Sequence, residues 1–213
     1  MIELVIFDFD GLLVDSEPIY VNSNKRFLKE RGINDFSIIN KLFGLRAEEA
    51  FLLIKETFSF KESIEELMSI RNKYILEDFE NGKLKLMPYV KEVLNKLRKY
   101  FKLAIGSSSK KYLLEKGLEI HNLSNYFDVI VTGDDVTKGK PEPDIYLKVA
   151  YLMNIQTQKS IVIEDAPNGI IAGKRAGMKT VAIPNEQTKN LDFSFSDFII
   201  SDFSKLPSLL GIG

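Results

Sequence analysis

The first apolar run constrains this chain more than any other feature. Ile2, Leu4, Val5, Ile6, Phe7 and Phe9 follow one another almost without interruption. That is the pattern of a strand buried on both faces. Such a strand should end in turn chemistry, and Gly11 supplies it. It also ends in acids. Asp8 and Asp10 stand two residues apart, so an extended chain points both carboxylates to one face. Like charges beside an apolar strand repel and resist desolvation unless a cation or a bound proton compensates. An Asp-Gly turn with both carboxylates in water closes a strand equally well, so the rest of the chain has to decide.

From about Pro18 to Gly82 there are no buried-strand runs and helical spacing takes over. Ala50, Leu53, Ile54, Thr57 and Phe58 share one helix face, and Ile64, Leu67, Met68, Ile75 and Phe79 share another. Gly32, Gly44 and Gly82 punctuate these segments as stops or turns. The stretch reads as an all-helical insertion of roughly four helices, its methionines and aromatics serving as core. Alternation of strand and helix begins at Met87-Pro88. Pro88 suits a first helical turn, and Val90, Val93, Leu94, Leu97 and Phe101 give that helix its buried face. Strands are predicted at 103–105, 129–131, 161–163, 180–183 and 198–200, separated by helices ending near Ile120 and spanning 143–153 and 167–176. The expected fold is therefore α/β, a Rossmann-like doubly wound parallel sheet. Its core spans residues 1–15 and 86–213, with an all-helical cap inserted at 16–85. Active sites in such sheets lie beyond the carboxyl ends of the strands.

Composition narrows the chemistry. A chain of 213 residues accommodates one domain with a modest insertion. A net charge of −1 argues against a nucleic-acid surface. No cysteine is present, which excludes disulfides and thiolate metal sites and is compatible with a cytoplasmic protein. His121 is the sole histidine, so a multi-histidine metal site is excluded and a Ser/His/Asp triad has little room. The short first run, interrupted by Glu3 and without a basic leader, makes a poor signal peptide. No apolar stretch reaches the ~18 residues of a membrane span, so no membrane partner is expected. The oligomeric state is left open, a monomer being compatible.

The unusual polar groups all fall at predicted strand ends. Ser107 follows the strand at 103–105, where its hydroxyl and the N–H groups of the turn can hold a phosphate. Ser107, Ser108 or Ser109 would also serve as a helix N-cap. Lys140 lies in Lys138-Gly139-Lys140-Pro141-Glu142-Pro143-Asp144, where Pro141 stiffens the turn and aims the lysine. A solvated turn lysine is the ordinary alternative. Glu164-Asp165 ends the strand at 161–163 and repeats the puzzle of Asp8 and Asp10. Converging carboxylates without histidine or cysteine suit Mg²⁺. Otherwise Asp165 would be an N-cap and Glu164 its solvated neighbour.

The run Asp8-Phe9-Asp10-Gly11 through Asp15-Ser16 resembles the first motif, Asp-x-Asp-Gly-x-x-x-Asp-Ser, of the haloacid dehalogenase-like superfamily of phosphatases and phosphomutases. Ser107 matches its second motif, Lys140 in Gly-Lys-Pro-x-Pro-Asp its third, and Glu164-Asp165-Ala166-x-x-Gly169 its metal-binding fourth. The insertion after the first motif resembles the cap of the beta-phosphoglucomutase-like branch. There are two departures: Tyr89 stands where that branch commonly has Gly after Pro88, and Tyr20 where the mutase itself has a histidine. The Asp15-Ser16-Glu17-Pro18 linker looks like that of the branch's sugar-phosphate phosphatases.

The resemblance implies Mg²⁺-dependent hydrolysis of a small phosphorylated metabolite, a sugar phosphate, through an aspartyl-phosphate. Asp8 would be the nucleophile and Asp10 the general acid and base. Mg²⁺ would sit on the Asp8 carboxylate, the Asp10 carbonyl and Asp165, with Glu164 bound directly or through water. Ser107, Lys140, Ser108 and N–H groups near Gly11 would hold the phosphoryl oxygens. Arg46, in the Phe43-Gly44-Leu45-Arg46 turn, would meet substrate hydroxyls or phosphate. A beta-phosphoglucomutase-type mutase is the main alternative. A haloacid dehalogenase, which needs no metal and lacks an acid at the Asp10 position, is less well supported. So is a non-catalytic binding protein, because no motif residue is missing.

Overall fold

The computed structural model describes residues 1–42 and 45–212; Phe43 and the predicted stop at Gly44 lie outside the described residues. In chain order the elements are β1 (Leu4–Phe7), β2 (Val14–Asp15), α1 (Glu17–Lys29), α2 (Ala47–Phe58), α3 (Ile64–Glu80), β3 (Lys85–Leu86), α4 (Val90–Leu97), β4 (Lys102–Gly106), α5 (Lys111–His121), β5 (Val129–Val131), α6 (Asp144–Met153), β6 (Ser160–Glu164), α7 (Pro167–Arg175), β7 (Lys179–Ala182), β8 (Phe198–Ile199) and α8 (Leu206–Leu209). The backbone divides into two compact units, Met1–Asp15 with Lys85–Gly213, and Ser16–Leu84.

The first unit is built on a six-stranded sheet in the order β5-β4-β1-β6-β7-β8, with every neighbouring pair parallel. All four residues of β1 are buried, which puts that strand in the middle of the sheet. Its register sets Phe7 beside Ile105 of β4 and Ile163 of β6. The strand order reverses at β1, so the carboxyl ends of β1, β4 and β6 surround the crevice where doubly wound sheets bind ligands. Leu4 and Ile6 pack with Ala104, Val162, Tyr146 of α6 and Ala172 of α7. Phe7 points the other way, stacking on Phe203 and meeting Phe127 edge-on, both at 6.2 Å.

Two local differences from the sequence expectation have physical causes. Pro88 lies outside α4, because Tyr89 takes a left-handed φ of 66° and the helix begins at Val90. That conformation costs a non-glycine residue about 1 kcal/mol, which accounts for glycine being common there in the branch this chain resembles. Val14 pairs with Leu86 and Asp15 with Lys85 in an antiparallel ribbon, so Lys85 groups with the first unit.

Among the described residues, the second unit holds three α-helices and one 3-10 turn, Ser37–Lys41, in place of four full helices. The N-terminus of α3 is fixed by a reciprocal cap: Ser63 Oγ accepts from Glu66 N (3.2 Å) while Ser63 N donates to Glu66 Oε2 (2.8 Å). Phe27 anchors this unit's core, edge-on to Phe51 at 5.4 Å and to Phe60 at 5.9 Å. Truncating such a residue to alanine costs about 3–5 kcal/mol. Among the described residues, no helix is long and apolar enough to cross a membrane.

Candidate active site

Backbone hydrogen bonds continue the sheet into the site. Asp8 N donates to Ile163 O (3.0 Å), and Ser107 N donates to Val131 O (3.0 Å). The chain then folds back sharply after Asp10, with Gly11 N donating to Val14 O at 2.9 Å. Gly11 has φ +75°, and a Cβ there would collide with the Asp165 carboxylate, so both conformation and space require glycine.

Two strand ends and one turn bring a charged cluster together. Lys140 Nζ, next to the cis peptide to Pro141, donates to Asp8 Oδ1 at 2.5 Å and to Glu164 Oε1 at 2.6 Å. Exposure is 7% for Asp8, 7% for Lys140, 1% for Glu164 and 4% for Asp165. Glu164 Oε1 also accepts from the Tyr146 hydroxyl (2.6 Å), and its Oε2 accepts from the N–H groups of Asp165 (3.2 Å) and Ala166 (3.3 Å). These donors open α7, so the carboxylate sits at a helix N-terminus, where negative charge is stabilised. Two glycines make room for this packing. A Cβ at Gly169 would overlap the Glu164 carboxylate, and one at Gly106 would stand 3.0 Å from the Tyr146 ring.

Burial pushes the Asp8 carboxyl up to about 7, with Glu164 and Asp10 adding to the effect and Lys140 opposing it. Burial also works against the Lys140 charge, but Asp8 and Glu164 outweigh it and hold the ammonium well above its ordinary range. Burial raises the Tyr146 phenol as well, which keeps it a hydrogen-bond donor. One carboxylate oxygen from each of Asp8, Glu164 and Asp165 lies within 4.8 Å of the other two. When all three are ionised, three carboxylates against one ammonium leave two negative charges, and the donors are all oxygen. That set fits a hard divalent cation.

Several predicted residues come together here, each with a definite partner. Ser107 is not a helix cap: α5 begins only at Lys111, with Lys110 at its N-cap. Ser107 Oγ accepts from Ser109 N (3.1 Å), leaving its own O–H to donate. Ser108 is exposed, its carbonyl packed so closely on Gly133 that a Cβ there would lie 2.6 Å away. The Asp10 carboxylate is not one of the three clustered acids; its Oδ2 accepts from Ser109 Oγ. Arg46 belongs to the second unit. It is the N-cap of α2 and is paired with Glu49 at 2.6 Å, its side chain 47% exposed.

Three participants escape a reading of the sequence. Tyr146 reads as one more apolar position on α6, and Asn185 as ordinary turn chemistry after Pro184. Ser109 reads as a spare helix cap. The available signal for Tyr146 was a hydroxyl on an otherwise apolar helix face, six residues after Lys140.

The family model described as haloacid dehalogenase-like hydrolase matches residues 5–183. The chain belongs to this family. It is 33% identical over 213 residues to the phosphoglycolate phosphatase of Aquifex aeolicus, covering 97% of this chain and 96% of that one. It is 33% identical over 181 residues to the phosphorylated carbohydrates phosphatase of Thermotoga maritima, covering 84% of this chain and 83% of the relative. The solved structure of CbbY from Rhodobacter sphaeroides in complex with phosphate superposes with a TM-score of 0.85 at 22% identity, covering 97% and 96% of the two chains. At that identity the likeness is one of fold. Asp8, Lys140, Glu164 and Asp165 all lie within the matched span, residues 5–183.

Proposed function

We propose that this protein, a phosphoric monoester hydrolase, removes phosphate from a small phosphorylated metabolite of the sugar-phosphate class. The buried cluster of Asp8, Lys140, Glu164 and Asp165 carries the reading. Relatives named for phosphoglycolate and phosphorylated carbohydrates support the substrate class.

In the proposed reaction Asp8 attacks phosphorus in line. The bond between phosphorus and the substrate's oxygen breaks as the bond to Asp8 forms. Asp10 gives that leaving oxygen a proton. Asp10 then takes a proton from water, which attacks the aspartyl-phosphate and releases inorganic phosphate with Asp8 restored. Ser107, with its donor available, and Lys140 hold the phosphoryl oxygens, together with Ser108 and N–H groups near Gly11. Lys140 lies against Asp8, so its charge is in place where negative charge builds up. Asp8, Asp165, Glu164 and the Asp10 carbonyl would hold Mg²⁺, which when bound neutralises charge on the transferring group. Arg46 helps choose among substrates.

Hydrolysis is favoured over transfer to a sugar by Tyr20. Its ring lies in α1 with the Arg71 guanidinium 5.1 Å from its centroid. A tyrosine has no cationic form near neutral pH to couple to Asp10, as the mutase's histidine would.

The test is inorganic phosphate release from a panel of phosphomonoesters, with beta-glucose 1-phosphate and a bisphosphate primer as one arm. Turnover should be abolished by EDTA and restored by Mg²⁺. Full activity in excess EDTA would overturn the metal reading, and glucose 6-phosphate accumulating faster than phosphate would favour a mutase.

A further inference from the structure

The carboxyl end of β7 contributes a residue to the site that no motif marks. Asn185 Nδ2 donates to Asp165 Oδ2 at 2.8 Å and to the Gly11 carbonyl at 3.1 Å. Its Oδ1 is occupied from the other side, accepting from Gln187 N (2.9 Å), Thr188 N (3.0 Å) and the Thr188 hydroxyl (3.2 Å). Thr188 Oγ1 in turn accepts from Asn185 N at 3.0 Å. Three donors on the carbonyl side leave the amide only one way round, with both N–H bonds aimed at Asp165 and Gly11. The fit is tight, since a Cβ on Gly11 would stand 2.9 Å from that Nδ2.

We infer that Asn185 is a positioning residue that fixes the Asp165 carboxylate for a divalent cation and ties it to the loop carrying Asp10 and Gly11. The inference rests on the metal reading above. The chemistry explains why an amide serves here. Lys140 brings a full positive charge to Asp8 and Glu164. Asn185 instead donates a neutral hydrogen bond, so it stops rotation of the Asp165 carboxylate without cancelling the charge a cation needs. Half-buried at the start of a loop, it can be truncated without opening the core. Hydrogen-bond partners that orient metal ligands commonly affect metal affinity 10–100-fold.

Isothermal titration of the substrate-free protein with Mg²⁺ provides the test, alongside the rise in Tm that Mg²⁺ produces. Asn185→Ala should weaken Mg²⁺ binding by about 10–100-fold and shrink that rise, with the Tm in EDTA little changed. Thr188→Val removes the hydroxyl that donates to Oδ1 and accepts from Asn185 N, while Thr188 N still braces Oδ1, and should weaken binding roughly 2- to 10-fold. Lys189→Ala, which breaks only an exposed pair with Glu186 in the same loop, should bind like wild type. Wild-type affinity in Asn185→Ala overturns the inference. So does equal weakening in Lys189→Ala, which would make the effect one of the loop as a whole. A wild-type protein that takes up no Mg²⁺ overturns the metal reading itself.

Discussion

The charged cluster of the sheet unit and two neutral buried groups of the helical unit differ in how they are paired. In the sheet unit, Asp8, Ser107, Lys140, Glu164 and Asp165 are buried, and each has a hydrogen-bond partner within 3.5 Å. In the helical unit, Ser23 Oγ on α1 and Asn72 Oδ1 on α3 are buried without one among the described residues. An open hydroxyl or amide costs about 1–3 kcal/mol, whereas an unpaired buried charge costs more. A charge cluster therefore has to be complete for the fold to stand. Neutral groups can be left open at lower cost. We read the first unit as the phosphoryl machinery and the second as the part able to differ between substrates.

Lys140 is where this contrast should be sharpest. Lys140→Ala leaves Asp8 and Glu164 facing each other without their shared cation, and urea denaturation should show a loss of about 3–5 kcal/mol. Phosphate release should fall below detection. A stable, active alanine variant would break the idea of a charge cluster that must be complete.

The proton equilibrium of Asp8 gives the next largest effect. The folded carboxyl titrates near 7 and the unfolded one near 3.8, so between those values the folded state holds the extra proton. Metal-free stability should therefore fall as pH rises through that window. Carboxyls whose pKa is lowered, such as Asp197 and Asp202, act below the window. Melting in EDTA at pH 5 and pH 8 should show wild type losing more stability than Asp8→Asn, and Mg²⁺ should recover the loss at pH 8. Parallel pH profiles for the two proteins would contradict the cause given for the shift.

The smallest effect belongs to the helical unit. Arg46 forms an exposed pair with Glu49, so Arg46→Ala should change stability by no more than about 1 kcal/mol. It should nevertheless alter the order of preference across a panel of phosphomonoesters. An unchanged order would return Arg46 to an ordinary surface role.

These contrasts also show how far the sequence could be read. Asp8 and Glu164 stand out in the sequence because each ends an apolar run at a strand end, where a buried polar group needs a reason. Ser107, which would serve equally well as a helix cap, is singled out only through the family resemblance. Lys140 was legible through its proline-stiffened turn. Strand order was not, since the 2-residue β8 and the placing of β6 beside β1 depend on crossovers that no local pattern encodes. Tyr146 and Asn185 were hidden because their local roles, a buried helix position and a turn, are complete without chemistry. What those side chains reach shows only in the folded chain, in the hydrogen bonds of Tyr146 to Glu164 and of Asn185 to Asp165 and Gly11.

The central claim is that Asp8 is the nucleophile. Asp8→Asn keeps the shape of the side chain and removes its charge, so phosphate release in Mg²⁺, measured on the best substrate of the panel, tests it directly. The expected result is a folded protein whose rate is lower by about 1,000-fold or more. Turnover near that of wild type would contradict the claim.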